Sequence, residues 1–393
     1  MNSLHTPQRA LIVLAWTGAL TAAAGPALAD SPHASRPHAK THAALKAIVE
    51  QGTPGVIAEV KDGHRTWTGT AGVADLDSGR PRTSNERFRI ASMTKPFTAA
   101  VLLKLEAAGK LSLDDSVERW LPGVVHGTGY HPEKITVRHL LNHTSGIFNY
   151  NNDEGFRARY AGDEFDKNRY NTVAPRELVD IALTHPAVFQ PGDPGRWEYS
   201  DTNYILAGMV IESVTGNSYE EEAGKQIIKP LKLEGTSVPG SSPKVPRPHA
   251  FHYSTLFEDG PDAKVRDATE LNPTVAWSAG QIISTAGDVN RFMSLLLRGK
   301  VLPRPQQRAM FDTVPVEGAD GHGGPDDRYG LGIRKFKLKQ GCWVWGHGGL
   351  LPGSASRTAA TGDGRHVLTM NRNGDWGEQK LEDAVVKAEF CES

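Results

Sequence analysis

The chain has 393 residues, 38% of them hydrophobic and 23% charged, with a formal net charge of -1. That length and balance allow a substantial globular core without metal or disulfide staples. The near-zero charge excludes a global field that would draw the protein to DNA, RNA or an anionic membrane.

In chain order, the first segment reads as an export signal. Arg9 supplies a thin positive start and an apolar stretch runs from Ala10 to about Ala24. Pro26 then precedes Ala27-Leu28-Ala29, a small-x-small cleavage pattern, so cleavage is expected after Ala29. No later segment has the roughly 18 apolar residues of a membrane span. The expectation is a secreted protein with a signal peptide over 1–29, a flexible N-terminus over 30–41 and a catalytic domain over 42–391.

A short helix is predicted over His42–Gln51. Val56–Val60 and His64–Gly69 read as two strands joined by Asp62-Gly63, a hairpin signal. A third strand is expected at Phe88–Ile90. Ser92–Gly109 reads as a helix, with Pro96 in its first turns and Gly109 as its C-terminal cap. Residues 110–275 are mostly helical patterns between loops, and 239–273 reads as irregular. A helix follows at Ala286–Leu297. Strands return at Tyr329–Phe336, Cys342–Gly346, Ser354–Ala360 and His366–Asn371, and the chain closes on a helix from about Trp376 to Phe390. Strands at both ends and helices between them predict an α/β (α+β) fold. One antiparallel sheet would join the two ends, with covering helices and a helical insertion. The cleft between sheet and insertion is the natural place for a site.

Three constellations carry chemistry. Ser92-Met93-Thr94-Lys95 puts a hydroxyl and an amine three residues apart, on one face of a helix. A serine needs a base to become nucleophilic, and a lysine serves if burial lowers its pKa. Tyr199-Ser200-Asp201-Thr202-Asn203 offers a phenol that can relay a proton. The same stretch is also an ordinary helix start, with Ser200 or Asp201 as N-cap. Gly346-His347-Gly348-Gly349 offers a glycine-rich strand edge that a substrate backbone can approach, and a histidine that can present a donor or a charge.

The order of S-x-x-K, a central tyrosine motif and a late H-x-G resembles the serine β-lactamase and penicillin-binding protein superfamily. The variant with Tyr and His is class C-like, and it is most similar to secreted serine-type D-alanyl-D-alanine carboxypeptidases. Phe88-Arg89-Ile90-Ala91-Ser92, Leu111-Ser112-Leu113-Asp114-Asp115, Ile135–Gly146, Ser278-Ala279-Gly280 and Tyr329-Gly330-Leu331-Gly332 extend the likeness over roughly 42–391.

The resemblance implies a β-lactamase/transpeptidase-like fold and an acyl-enzyme mechanism. Ser92 would be the nucleophile, and Lys95 and Tyr199 would share the base and relay work. The backbone near Ser92 and Leu350 would form the oxyanion hole. Asp201, Arg334, His347, Gly348, Gly349 and Leu350 would contact substrate. The implied substrate is a peptidoglycan stem peptide or related D-amino-acid peptide, with β-lactams as acylating ligands. The protein is expected to act as a monomer with no cofactor, metal or membrane anchor. Cys342 and Cys391 suggest a disulfide in an exported chain, and the family resemblance pairs this late strand with the C-terminus.

Three departures shift the expectation. Asp201 stands where the family carries Asn. Gly348 and Leu350 stand where carboxypeptidases have threonine hydroxyls that grip the substrate carboxylate. Trp277 is one or two places from the family's cleft aromatic. An amide, an ester or an amino-terminal D-residue therefore competes with the carboxypeptidase substrate, as does β-lactamase activity.

Other classes have thinner support. His139 and His143 have i, i+4 spacing but lack the glutamate of a zinc protease. Ser145 and Ser278 lack a complete G-x-S-x-G elbow. A non-catalytic binder of penicillin or cell-wall peptide would not need Ser92, Lys95, Tyr199 and His347 together.

Overall fold

The computed structural model describes residues 37–258, 263–316, 326–338, 341–377 and 380–391. The export-signal reading, with cleavage after Ala29, lies outside the described residues. From His38 onward the chain packs as one unit.

Eight strands form the main sheet: β1 (Gly55–Asp62), β2 (Arg65–Gly72), β3 (Val314–Pro315), β4 (Arg328–Tyr329), β5 (Arg334–Lys337), β6 (Trp343–Leu351), β7 (Ser354–Ala360) and β8 (His366–Arg372). Their spatial order is β2-β1-β8-β7-β6-β5-β4-β3, with antiparallel pairs throughout. The first and last strands lie side by side, Val56 opposite Arg372 and Asp62 opposite His366. The expected sheet from both chain ends is present.

Five longer helices matter for the site: α1 (Ala39–Glu50), α2 (Lys95–Ala107), α3 (Asp201–Thr215), α4 (Ala286–Leu297) and α5 (Lys380–Phe390). Helices α1 and α5 cover one face of the sheet, where Leu45, Ile48, Val56, Ala58, Val60, Leu368, Met370, Val385 and Val386 form one cluster. The opposite face carries α4 and, beyond it, the large core built on α2 and α3. Period-two alternation puts Val56, Ala58 and Val60 on the first face. Ile57, between them, is fully buried on the other, as expected for a sheet covered on both sides. Helix α2 is buried almost all round, so its sequence shows little amphipathic contrast.

Several expectations change. Helix α1 starts at Ala39 rather than His42, so part of the stretch 30–41 read as flexible is helical. His38 anchors its start through a hydrogen bond to Glu389. Phe88–Arg89 is a strand, but it pairs with Ile283–Ser284 in a separate two-stranded sheet. The run Tyr329–Phe336 is two strands. Gly332, at φ 77°, turns the chain between them so closely onto α2 that a Cβ there would lie 2.9 Å from the Lys95 carbonyl. The strand expected to end at Gly346 continues to Leu351. Cys342 and Cys391 form a disulfide that ties the start of β6 to the end of α5. Among the described residues, no helix is long and apolar enough to cross a membrane.

Candidate active site

The segment before α2 positions the serine. Ala91 adopts φ 48°, a left-handed conformation that costs a non-glycine residue energy and is held by its surroundings. Ala91–Thr94 forms one 3-10 turn and α2 begins at Lys95, so the expected single helix from Ser92 has a tighter first turn. Ser92 lies on that turn and Lys95 one position past it, and Lys95 Nζ donates to Ser92 Oγ at 2.9 Å.

Lys95 is fully buried. Its amine also donates to Asp201 Oδ1 at 2.5 Å and to the Ala279 carbonyl at 3.1 Å, and it lies 4.9 Å from the centre of the Tyr199 ring. Burial lowers the Lys95 pKa, and the Asp201 carboxylate opposes that shift without cancelling it. Tyr199 is hydrogen-bonded to the Ser92 side chain. Burial, and next the Asp201 charge, push its phenol well above the ordinary tyrosine value. Burial thus makes the free amine of Lys95 easier to reach than in water and the phenolate of Tyr199 harder to reach.

Asp201 opens α3, with Ser200 at the N-cap position. Its carboxylate carries negative charge at the positive end of that helix. Asp201 Oδ2 accepts from Asn151 Nδ2 at 2.7 Å, and the Asp201 N–H donates to Asn149 Oδ1 at 3.1 Å. The loop carrying Asn149 and Asn151 gave no signal beyond loop composition in the sequence.

Strand β6 forms the facing wall. A Cβ at Gly349 would lie 2.2 Å from the Ile90 carbonyl and 3.1 Å from the Ser92 nitrogen. The absent side chain is therefore what lets the β6 backbone lie against the serine. Gly348 has no such neighbour; a Cβ there meets nothing closer than 3.8 Å. His347 is 4% exposed, and burial, followed by the charges of Lys95, Arg334 and Arg357, drives its pKa well below the ordinary histidine value. Arg334, on β5, is salt-bridged to Asp327 at 3.1 Å. Leu350 is exposed at the rim.

These groups share one cavity of about 550 Å³. Ser92, Tyr199, Asp201, Arg334, His347 and the β6 segment Gly348–Leu350 all line it, so the sequence-predicted site residues converge. Apolar and aromatic side chains, among them Tyr150, Phe156, Tyr160, Phe257, Leu271 and Val275, also line it, beside the charged Arg157, Arg357 and Arg372. Sequence reasoning missed that lining, because its aromatics are scattered through helices and loops with no shared spacing.

Trp277 does not reach the cavity. It is buried, and its indole N–H donates to Glu220 Oε1 at 3.0 Å. His139 caps its own short helix, accepting from the Thr136 N–H at 3.3 Å, and His143 turns toward Ser200 and Tyr329. Among the described residues, no cluster of His, Cys, Asp or Glu is arranged to hold a metal ion.

Comparison with known proteins follows the same outline. Residues 38–389 match the family model described as Beta-lactamase. A D-stereospecific amidohydrolase from Streptomyces sp. is similar at 45% identity and a TM-score of 0.83, over 91% of this chain and 100% of that one. The D-amino acid amidase from Ochrobactrum anthropi SV3, solved with L-phenylalanine amide, matches at 28% identity and a TM-score of 0.75, over 89% of this chain and 97% of that one. A penicillin-binding protein of Bacillus subtilis (strain 168) is 26% identical over 342 residues, covering 85% of this chain and 71% of its own.

Proposed function

The chain belongs to the beta-lactamase family of serine hydrolases, and from that premise we propose that it is an amidohydrolase releasing ammonia or an amine from short D-aminoacyl amides. Ser92 is the nucleophile of this reading. The observation that carries the choice of substrate is the Asp201 carboxylate on the cavity wall, within one hydrogen bond of Lys95. It is suited to a substrate with a free α-amine and unsuited to a second carboxylate. The likeness to a D-stereospecific amidohydrolase and a D-amino acid amidase supports the same substrate class. A D-Ala-D-Ala tail would need a cationic grip on its terminal carboxylate. Arg334 reaches the cavity paired with Asp327, as Asp201 does with Lys95, and what separates the two readings is that no hydroxyl stands at Gly348 or Leu350 to grip a carboxylate. This weighs against the carboxypeptidase implied by the sequence resemblance.

In the proposed reaction, Ser92 Oγ attacks the amide carbon and its proton passes to the free amine of Lys95. The oxyanion forms beside the Ser92 N–H and the β6 backbone at Leu350, where donors of this kind contribute several kcal/mol. As the C–N bond breaks, the Tyr199 hydroxyl gives its proton to the leaving nitrogen and regains one from the Lys95 ammonium. Water then attacks the ester carbon as its proton passes to the same pair; the C–Oγ bond breaks, Ser92 Oγ takes that proton back, and the acid leaves.

The test measures release from D-phenylalaninamide, L-phenylalaninamide, N-acetyl-D-phenylalaninamide and a diacyl-lysyl-D-Ala-D-Ala peptide, with Ser92→Ala in parallel. The expected result is Ser92-dependent hydrolysis of D-phenylalaninamide, with the L-amide and the N-acetylated amide at least tenfold slower. Ser92-dependent release of D-alanine from the peptide, with the free amide inert, would make the enzyme a D,D-carboxypeptidase instead.

A further inference from the structure

A line of hydrogen bonds runs through the floor of the site from Ser200 to Gly348, with Asn203 as a side branch. His143 Nδ1 accepts from the Ser200 backbone N–H and from Asn203 Nδ2, both at 3.2 Å. A backbone amide can only donate, so this nitrogen is unprotonated and His143 carries its proton on Nε2. That Nε2–H faces the Tyr329 hydroxyl at 3.3 Å. The Tyr329 hydroxyl in turn lies 3.0 Å from His347 Nε2, and His347 Nδ1 lies 2.5 Å from the Gly348 carbonyl. A carbonyl can only accept, so His347 Nδ1 carries a proton. Tyr329 receives from His143, which leaves its own proton to be shared between the lone pair on His347 Nε2 and the oxygen of Tyr204, whose hydroxyl donates to the Leu141 carbonyl.

Both ends of the chain are thus set by backbone groups that cannot change role. His143, Tyr329 and His347 are each buried, and of the side chains acting on His347, Arg334 and Arg357 are cations and Lys95 is one whenever it is protonated. A further positive charge beside them would be repelled.

We propose that His347 is a neutral positioning residue that holds the β6 main chain at Gly348 instead of offering charge to the substrate, its Nδ1 proton fixed by the Gly348 carbonyl and its Nε2 lone pair met by Tyr329. The consequence is mechanical. The Gly348 carbonyl is pinned one residue before Gly349, whose backbone lies against Ser92. The far end of the chain starts at Ser200, between Tyr199 and Asp201. One polarised line therefore fixes the two walls of the site relative to each other. The proposal rests on the acyl-transfer reading of this cavity, but its first test does not depend on turnover.

That test is nitrogen-detected NMR of histidine-labelled wild-type protein between pH 5.5 and 8. His347 is expected as the Nδ1-protonated tautomer and His143 as the Nε2-protonated one, both unchanged across the range. An imidazolium at His347 at neutral pH, or its Nε2-protonated form, overturns the proposal. In Tyr329→Phe the Gly348 carbonyl still holds the proton on Nδ1, so the tautomer should persist while the His347 Nε2 resonance shifts with the loss of its hydrogen bond; an unmoved Nε2 resonance would remove Tyr329 from the line. Kinetics give an independent reading. His347→Asn keeps a donor where Nδ1 stands and should retain kcat within about tenfold. His347→Lys should lose at least about a hundredfold in kcat with KM little moved. A lysine variant more active than the asparagine variant would mean that position 347 works by charge, and would overturn the proposal even if amide hydrolysis is confirmed.

Discussion

At Lys95 two opposite influences meet on one atom. Burial favours the free amine and Asp201 favours the ammonium. The balance fixes the pH at which the proposed base becomes available, so Asp201→Asn should lower the Lys95 pKa further. The acidic limb of the rate profile, where protonation of Lys95 switches the enzyme off, should then move to lower pH. The measurement is kcat against pH for D-phenylalaninamide in both proteins; an unmoved or raised acidic limb would separate Asp201 from the base. Lys95→Ala should slow acylation by about 10²-fold or more, the scale of a lost general base. Stopped-flow acylation by penicillin reads that step directly. At this scale the sequence was most informative, because S-x-x-K and the tyrosine motif are contiguous. The hydrogen-bond partners of Asp201 and His347 were not legible. Asn151 and Tyr329 reach them across 50 and 18 residues of chain, and no local spacing encodes such meetings.

Strand β6 shows why elements were harder to read than residues. Its reading stopped at Gly346, because glycine weakens a strand and has no side chain to alternate. The structure continues it to Leu351 because these glycines serve contact. A Cβ at Gly346 would lie 1.9 Å from the Thr358 carbonyl on β7, and at Gly349 2.2 Å from the Ile90 carbonyl. Gly348, between them, is open. The three positions therefore separate by experiment. Gly348→Ala should leave folding and turnover within about threefold of wild type, since its new methyl meets only ordinary contacts. Gly349→Ala should push β6 off the serine and cost about 10² to 10³-fold in kcat, the scale of a displaced oxyanion donor. Circular dichroism and thermal melting establish that each variant is folded, and equal kcat values for the two would contradict the close approach at Gly349. The split of Tyr329–Phe336 has the same origin. Its residues alternate like one strand, and only the packing of Gly332 onto α2 reveals the turn.

For the molecule as a whole, the sheet, its covering helices and the joining of the chain ends were legible, because strand-type and helix-type patterns segregate along the sequence. The lock between the ends was not. Glu389 on α5 is buried and accepts from Thr41 Oγ1 at 2.6 Å, with His366 Nε2 at 2.6 Å and His38 Nδ1 at 3.0 Å. Burial pushes its carboxyl up, but the hydrogen bonds from His366, Thr41 and His38 outweigh it and hold the pKa below the ordinary glutamate value. A depressed carboxyl contributes stability that is present above its unfolded pKa and lost as pH falls through its folded one. Glu389→Gln should therefore cost about 1 to 3 kcal/mol at neutral pH and little below the glutamate range. Thermal melts of both proteins from pH 7 to pH 3 should converge at the acid end; a gap that stays constant would show that charge is not involved.

The same adjacency of ends governs the order in which the protein can assemble. Beyond its hairpin mate β2, strand β1 pairs only with β8, Val56 lying opposite Arg372, so β1 and β2 wait as a lone hairpin, marginal in water, until β8 is made. Sheets built from such distant pairings form slowly, since the intervening loop must close before any contact rewards it. The central ladder therefore forms only after the strands and helices between its two partners have been made, and β8 completes the sheet that β1 opened.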